Sequence, residues 1–325
     1  MIHRFAVAVG AGCAAAFLFA ASAQTSPLAM TLAYLAPLPI MIATMGWGVG
    51  AGAIAAAASV AGLTLLAEPL TGLLYAASVA APAWILAACA VAPVARYLPA
   101  RSLSAQPYAS VGLIVTVAAA IGMVGAGAVL TAIIVLYGGY AEGTKQVATS
   151  LAALASDAFD AKDGDQARVF AETLVRFGPA AIAASTLLML SVNLYAAARS
   201  TQLSHRLQRA WSDLPTSLRL PWPLGALAIG CAACAYALPP PASQYFSIGV
   251  GGLGGAFVLQ GLAVAHALTR GLKLRVVMLV ALYACCVLRA KYTLPVLAGL
   301  GLVDAFVRLR ARASFLLSPK PSSHR

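Results

Sequence analysis

The 325-residue chain is 62% hydrophobic and 9% charged, with a formal net charge of +12, whereas a soluble globular chain is about half apolar and about a quarter charged. The apolar excess excludes a water-soluble fold. The cations sit singly at the ends of apolar runs without interleaved aromatics, which excludes a nucleic-acid-binding patch.

A membrane-spanning helix needs about 20 mostly apolar residues, and this length predicts spans at 5–23, 28–45, 48–67, 70–95, 109–137, 178–198, 222–238 and 245–268. The first begins with MIHR and ends in Ala21-Ser22-Ala23 before Gln24, a layout that also fits a secretory signal with its cleavage site. Its length and the spans that follow at once favour an uncleaved helix, and Gln24 faces outward in either case. Spans two and three are joined by a short turn through Gly46-Trp47-Gly48. The stretch 276–307 is interrupted by Arg289 and Lys291 and then Pro295. One helix there would carry two cations to mid-bilayer, so two short spans meeting near Arg289 are predicted. Pro37 and Pro39 interrupt the second span, Pro82 and Pro93 the fourth and Pro295 the last. Such breaks either build polar sites at depth or act as plain kinks.

Lys and Arg gather at cytoplasmic span ends. Ten spans with both termini cytoplasmic put fifteen of the 21 cations inside and six outside: Lys145, Lys162, Arg168, Arg176, Arg289 and Lys291. Seven of the nine acids, from Glu68 and Glu142 onward, also fall outside. Eight or nine spans are the alternative; nine would put the cationic tail after Asp304 outside. The chain therefore reads as an all-α, polytopic bundle of a bacterial inner membrane, a single membrane domain over 1–325 with a flexible cytoplasmic tail at 313–325. Residues 138–177 form its only sizeable soluble segment. Val147, Leu151, Leu154 and Phe159 make one apolar stripe, 160–165 supplies turn chemistry, and Val169, Phe170 and Leu174 make a second stripe closing at Gly178-Pro179. This predicts an extracytoplasmic amphipathic helical hairpin, either a lid over an outward-facing cavity or a structural connector.

Glycine concentrates at 46–52, 122–127 and 249–255. Gly48 with Gly52 and Gly251 with Gly255 have the small-xxx-small spacing of close helix crossings in lipid. Gly249, Gly251 and Gly254 also match a dinucleotide pattern, but inside an apolar span with no soluble strand before it, so no cofactor is expected. No phosphate-binding loop, H-E-x-x-H or G-x-S-x-G occurs, so neither a nucleotide-driven pump of that class, a zinc hydrolase nor a serine hydrolase is indicated, and no metal site is expected. The six cysteines lie inside apolar runs; Cys231 and Cys234 have redox spacing but share a helix face, which reads as packing. Polar groups in or beside apolar spans remain: Glu68, Asn193, Gln260, His266, Arg289, Lys291 and Asp304. Each is expensive in hydrocarbon and so a candidate for solute binding. Each also has a structural reading. Glu68 before Pro69 marks an outer turn, Asn193 bonds a neighbouring helix, His266 sits at the inner interface, Asp304 pairs with Arg308, and Arg289 and Lys291 mark an outer turn. The substrate-binding candidates are Asn193, Gln260, His266, Asp304 and Glu68.

Ala36-Pro-Leu-Pro39 followed by GWGVG, Leu259-Gln260-Gly261 running to His266, and Gly299-Leu-Gly301 running to Asp304 with Arg308 and Arg310 resemble the YybS-like family of predicted bacterial membrane proteins, a family of unknown function. That family is distantly similar to the substrate-capture subunits of energy-coupling-factor transporters. The polar groups at depth, the proline-broken spans and the absence of any nucleotide motif predict a solute-binding component of an uptake system, non-enzymatic, without a cofactor, energised by a partner module and embedded in the lipid bilayer. The alternative is a scaffold that organises an envelope complex through its glycine faces and hairpin.

Overall fold

The structure, a computed structural model, describes residues 2–23, 26–93, 108–159, 164–207, 209 and 211–310. The tail at 313–325, the cationic turn with Arg96 and Arg101, and the hairpin tip at 160–163 lie outside the described residues. Among the described residues, every expected apolar segment is helical over most of its length. These are α1 (Ile2–Ala20), α2 (Pro27–Tyr34), α3 (Pro37–Trp47), α4 (Val49–Leu66), α5 (Pro69–Tyr75), α6 (Ala81–Val91), α7 (Val111–Leu136), α8 (Tyr140–Phe159), α9 (Gly164–Leu203), α10 (Leu214–Ser217), α11 (Trp222–Ala237), α12 (Ala242–Leu268), α13 (Arg275–Leu288) and α14 (Ala290–Val307). Among the described residues, eight helical stretches are long and apolar enough to cross a membrane, and α11 and α13 are shorter apolar helices. At 1.5 Å per residue they measure about 24 Å and about 21 Å, against a hydrocarbon core of about 30 Å.

Local chemistry accounts for the breaks. Proline supplies no amide, so neither Pro37 nor Pro39 continues the ladder of α2; Leu38 N–H turns back to Leu35 O (3.0 Å), and the span divides into α2 and α3. Gly48 joins α3 to α4 at φ +100°, a conformation with a steric penalty for any residue bearing a Cβ. The fourth span opens with α5 and passes through a π-helical turn at Ala76–Ala80 before α6, which takes up the missing amide of Pro82. Pro93 lies beyond the end of α6, and Pro295 is held inside a continuous α14. Arg289 separates α13 from α14, as its charge predicts.

Two helices, α8 and α9, flank residues 160–163, where the hairpin is expected. Its second arm does not close at Gly178-Pro179: α9 runs unbroken for 40 residues with Pro179 inside it. One missing amide bends a long helix without ending it when both flanks are packed.

The chain divides into two compact units, residues 1–132 with 185–212, and 133–184 with 213–325. In the first, α4 packs on α1 and α3, and α3 on α6, around buried Ile40, Met41, Met45, Tyr75 and Leu86. In the second, α12 is central and packs against α14, α11 and α10, with Leu253, Phe257 and Val264 buried. The α12–α14 crossing is close. A Cβ on Gly261 would collide with Leu297 O, and one on Gly301 with Phe257 O.

Candidate functional site

Two of the five solute-site candidates meet in space. Gln260 on α12 is fully buried, and its Nε2 donates to Asp304 Oδ2 on α14 at 2.9 Å. The partner of Asp304 is Arg310, not Arg308: Nη2 and Nε donate to Oδ2 at 2.7 and 3.2 Å, and the Arg310 amide donates to Oδ1 at 3.3 Å. Arg308 takes a left-handed backbone (φ 56°, ψ 50°) that ends α14. The chain then turns back, so the residue six positions on reaches the carboxylate where the one four positions on does not. The Asp304 and Arg310 side chains are 3% and 5% exposed.

The remaining bonds of this cluster go to backbone. Arg310 Nη1 and Nη2 donate to Pro215 O and Leu218 O, both at 2.6 Å, and Gln260 Oε1 accepts the Leu220 amide at 2.8 Å. The segment bearing α10 is thereby strapped to α12 and α14. A second tie, Arg270 Nη2 to Asp213 Oδ1 at 2.6 Å, holds its start. The Arg270 guanidinium, and after it the Thr216 hydroxyl, holds the Asp213 carboxyl below the usual carboxylate range. A buried ion pair closed by hydrogen bonds on both sides is a clamp.

The other candidates have partners of their own or stand exposed. In the first unit, Asn193 is buried, and its Nδ2 donates to Tyr34 O and Met189 O, each at 2.8 Å. Tyr34 O loses its helical donor because the Leu38 amide turns to Leu35 O where α2 breaks, so the asparagine satisfies a carbonyl left open by that break. Tyr34 Oη and Ser185 Oγ are hydrogen-bonded beside it at 2.6 Å. Glu68 is exposed at the start of α5, immediately before Pro69. His266 is half-buried on α12, within 3.2 Å of Leu262 O and edge-on to Tyr283. Of the glycines, Gly48 forms the α3–α4 turn; a Cβ on Gly52 would strike Thr44, and one on Gly251 would strike Ala180 O; Gly255 is half-buried on α12. Cys231 packs its Sγ where a Cβ on Gly249 would come within 2.7 Å. Among the described residues no group of three His, Cys, Asp or Glu is placed to hold a metal ion.

The second unit also contains a cavity of about 1210 Å³ walled by α8, the first arm of α9, α11 and α12. On α8, Tyr140, Thr144, Lys145, Ala148, Thr149 and Ala152 face it, spaced as one side of a helix. Arg168, Glu172 and Arg176 face it from α9. Gln244 and Ser247 contribute polar atoms from α12, and Ala180, Ala232 and Val250 line it with apolar ones. The Tyr140 hydroxyl is hydrogen-bonded to the Gln244 side chain, while Gln244 Oε1 is buried with no partner. An acceptor in that position is one a bound molecule can satisfy. None of these residues is among the sequence candidates, but a signal for three of them is present. Lys145, Arg168 and Arg176 are half of the six cations that the orientation expected from charge leaves on the outer side.

Residues 13–305 match the family described as "Predicted membrane protein (DUF2232)". No curated protein and no solved structure matches the chain.

Proposed function

The chain belongs to this family of predicted membrane proteins, and from that premise we propose that it is a solute-capture component of a bacterial inner membrane, holding its ligand in the cavity beside the α8–α9 hairpin. The observation that carries the reading is the cavity. At about 1210 Å³ it exceeds the roughly 300–1,000 Å³ of ordinary ligand sites, and its mixed lining includes Gln244, whose Oε1 has no partner. The hairpin is then one wall of a binding site, and with both termini in the cytoplasm that site opens outward. The chain acts without chemistry of its own, and energy for uptake comes from a partner module. A scaffold role draws on a different observation, the approach of α12 to α14 at Gly261 and Gly301 and to α9 at Gly251, which supports glycine faces as the means of helix packing in lipid.

Native mass spectrometry of the full-length protein released from mild detergent tests the capture reading. A bound small molecule is expected on the wild type. Replacing the exposed, cavity-lining Ala232 by tryptophan is expected to remove it without changing the thermal unfolding profile. Retention of the same mass by Ala232→Trp, or no retained mass on the wild type, would count against a ligand site there.

A further inference from the structure

Resting on the reading of this cavity as a ligand site, we infer that its ligand is an anionic amphiphile, a molecule with an apolar chain and a phosphate or carboxylate head. The lining is sorted along its length. Arg168 and Arg176 are eight residues apart on α9, about 12 Å, and Ala180 lies about 6 Å further along the helix. Near Ala180 the cavity ends, because α12 closes on α9 where Gly251 abuts Ala180 O. That end is lined by Ala180, Ala232 and Val250, an environment for hydrocarbon and not for a charged head.

Toward the hairpin tip the lining acquires charge, set among the apolar Ala148, Ala152 and Val175. Lys145, Arg168 and Arg176 face the cavity with one acid, Glu172, a surplus of two positive charges. The contacts of Arg168 with Asp165 and Glu172 are long, 3.7 and 3.9 Å, between side chains at least 64% exposed. Pairs of that kind contribute little and leave the guanidinium available to an anion. Between the two ends lie Tyr140, Thr144, Ser247 and Gln244, where the Thr144 and Ser247 hydroxyls donate to their own helices and keep oxygen lone pairs as acceptors. A small polar solute would leave the apolar end uncovered, and a neutral lipid would leave the cations unused. The volume also exceeds the roughly 300–1000 Å³ of sites for drug-sized molecules, which suits a head with a chain.

The source of the anion, a lipid headgroup or free phosphate, is separated by titration. The full-length protein in detergent micelles is mixed with phosphatidylglycerol, phosphatidylcholine or inorganic phosphate, and adducts are counted by native mass spectrometry. Phosphatidylglycerol is expected to bind about tenfold more tightly than phosphatidylcholine, at roughly a factor of a few per available cation, and millimolar phosphate should not displace it. The triple variant Lys145→Gln/Arg168→Gln/Arg176→Gln should lose that preference while keeping its phosphatidylcholine binding, and Arg289→Gln/Lys291→Gln should retain it. Equal affinity for the two lipids in the wild type, or an undiminished preference in the triple variant, overturns the anionic head. Displacement by phosphate overturns the need for an apolar chain. If Ala232→Trp binds phosphatidylglycerol as the wild type does, the cavity is not the site and the capture reading fails as well. If Ala232→Trp excludes a neutral ligand that the wild type holds, only the ligand class fails.

Discussion

Replacing Arg310 by alanine deletes the guanidinium that closes the clamp between α12, α14 and the α10 strap. The Asp304 carboxylate, 3% exposed, then keeps only Gln260 Nε2 and the backbone amide of residue 310 as donors. Pro215 O and Leu218 O lose their partners too. Removing one member of a buried ion pair costs about 3–5 kcal/mol, because the other charge stays desolvated. The stranded carbonyls would add about 1–3 kcal/mol each if they remained buried, but a released strap can lift them into water. The net expectation is therefore the ion-pair figure, a hundredfold or greater rise in the unfolding equilibrium constant. Circular dichroism during titration of detergent micelles with SDS measures it. A cysteine placed at Ser217 reports strap release as faster maleimide labelling. The double variant Asp304→Leu/Arg310→Met should recover most of the loss, since an apolar replacement removes both desolvation costs. An Arg310→Ala protein within about 0.5 kcal/mol of wild type, the scatter of ordinary surface substitutions, with unchanged labelling at position 217, would refute the clamp.

Three further outcomes are expected. Gly251→Ala places a methyl group against Ala180 O, a backbone atom that cannot swing aside; it should destabilise by about 1–3 kcal/mol in detergent unfolding, while Gly254→Ala, which meets nothing within 4 Å, should not. Asn193→Leu strands Tyr34 O and should cost about 1 kcal/mol in the same assay, in the range of hydrogen bonds between helices in lipid. The tie of Asp213 to Arg270 stabilises the fold above the unfolded carboxyl pKa of about 3.9. Because the folded value is depressed, that contribution is lost as the pH falls through it. The difference in unfolding free energy between the wild type and Asp213→Asn, read in the same SDS titration, should therefore shrink as the pH falls through that value, from a starting difference under about 1 kcal/mol because the pair is half exposed.

Much of the fold was legible along the chain because burial in lipid is written in runs of apolar residues, whose length the bilayer sets. The α13–α14 break at Arg289 and the division of the second span at Pro37 follow from single residues whose cost in a continuous helix is large. Gly178-Pro179 misled for the converse reason. Proline removes one bond, and α9 is long enough and packed closely enough at Ala180 to tolerate that loss. The cost of a carboxylate in hydrocarbon requires a partner for Asp304. Its identity was not legible, since the choice between Arg308 and Arg310 turns on one left-handed residue at the helix end.

By itself, then, the amino-acid sequence determined a membrane-embedded helical chain, the places where its helices must stop, and which polar groups require company, because each of these is a local balance between side chain and solvent. It took the packing of the helices to bring Gln260, Asp304 and Arg310 into one hydrogen-bonded cluster, to set Asn193 against the carbonyl of a broken helix, and to place Lys145, Arg168 and Arg176 around one cavity. Those outcomes depend on which helix faces which, and helix partners are chosen by backbone approach and shape over long separations, a property no single stretch of residues carries.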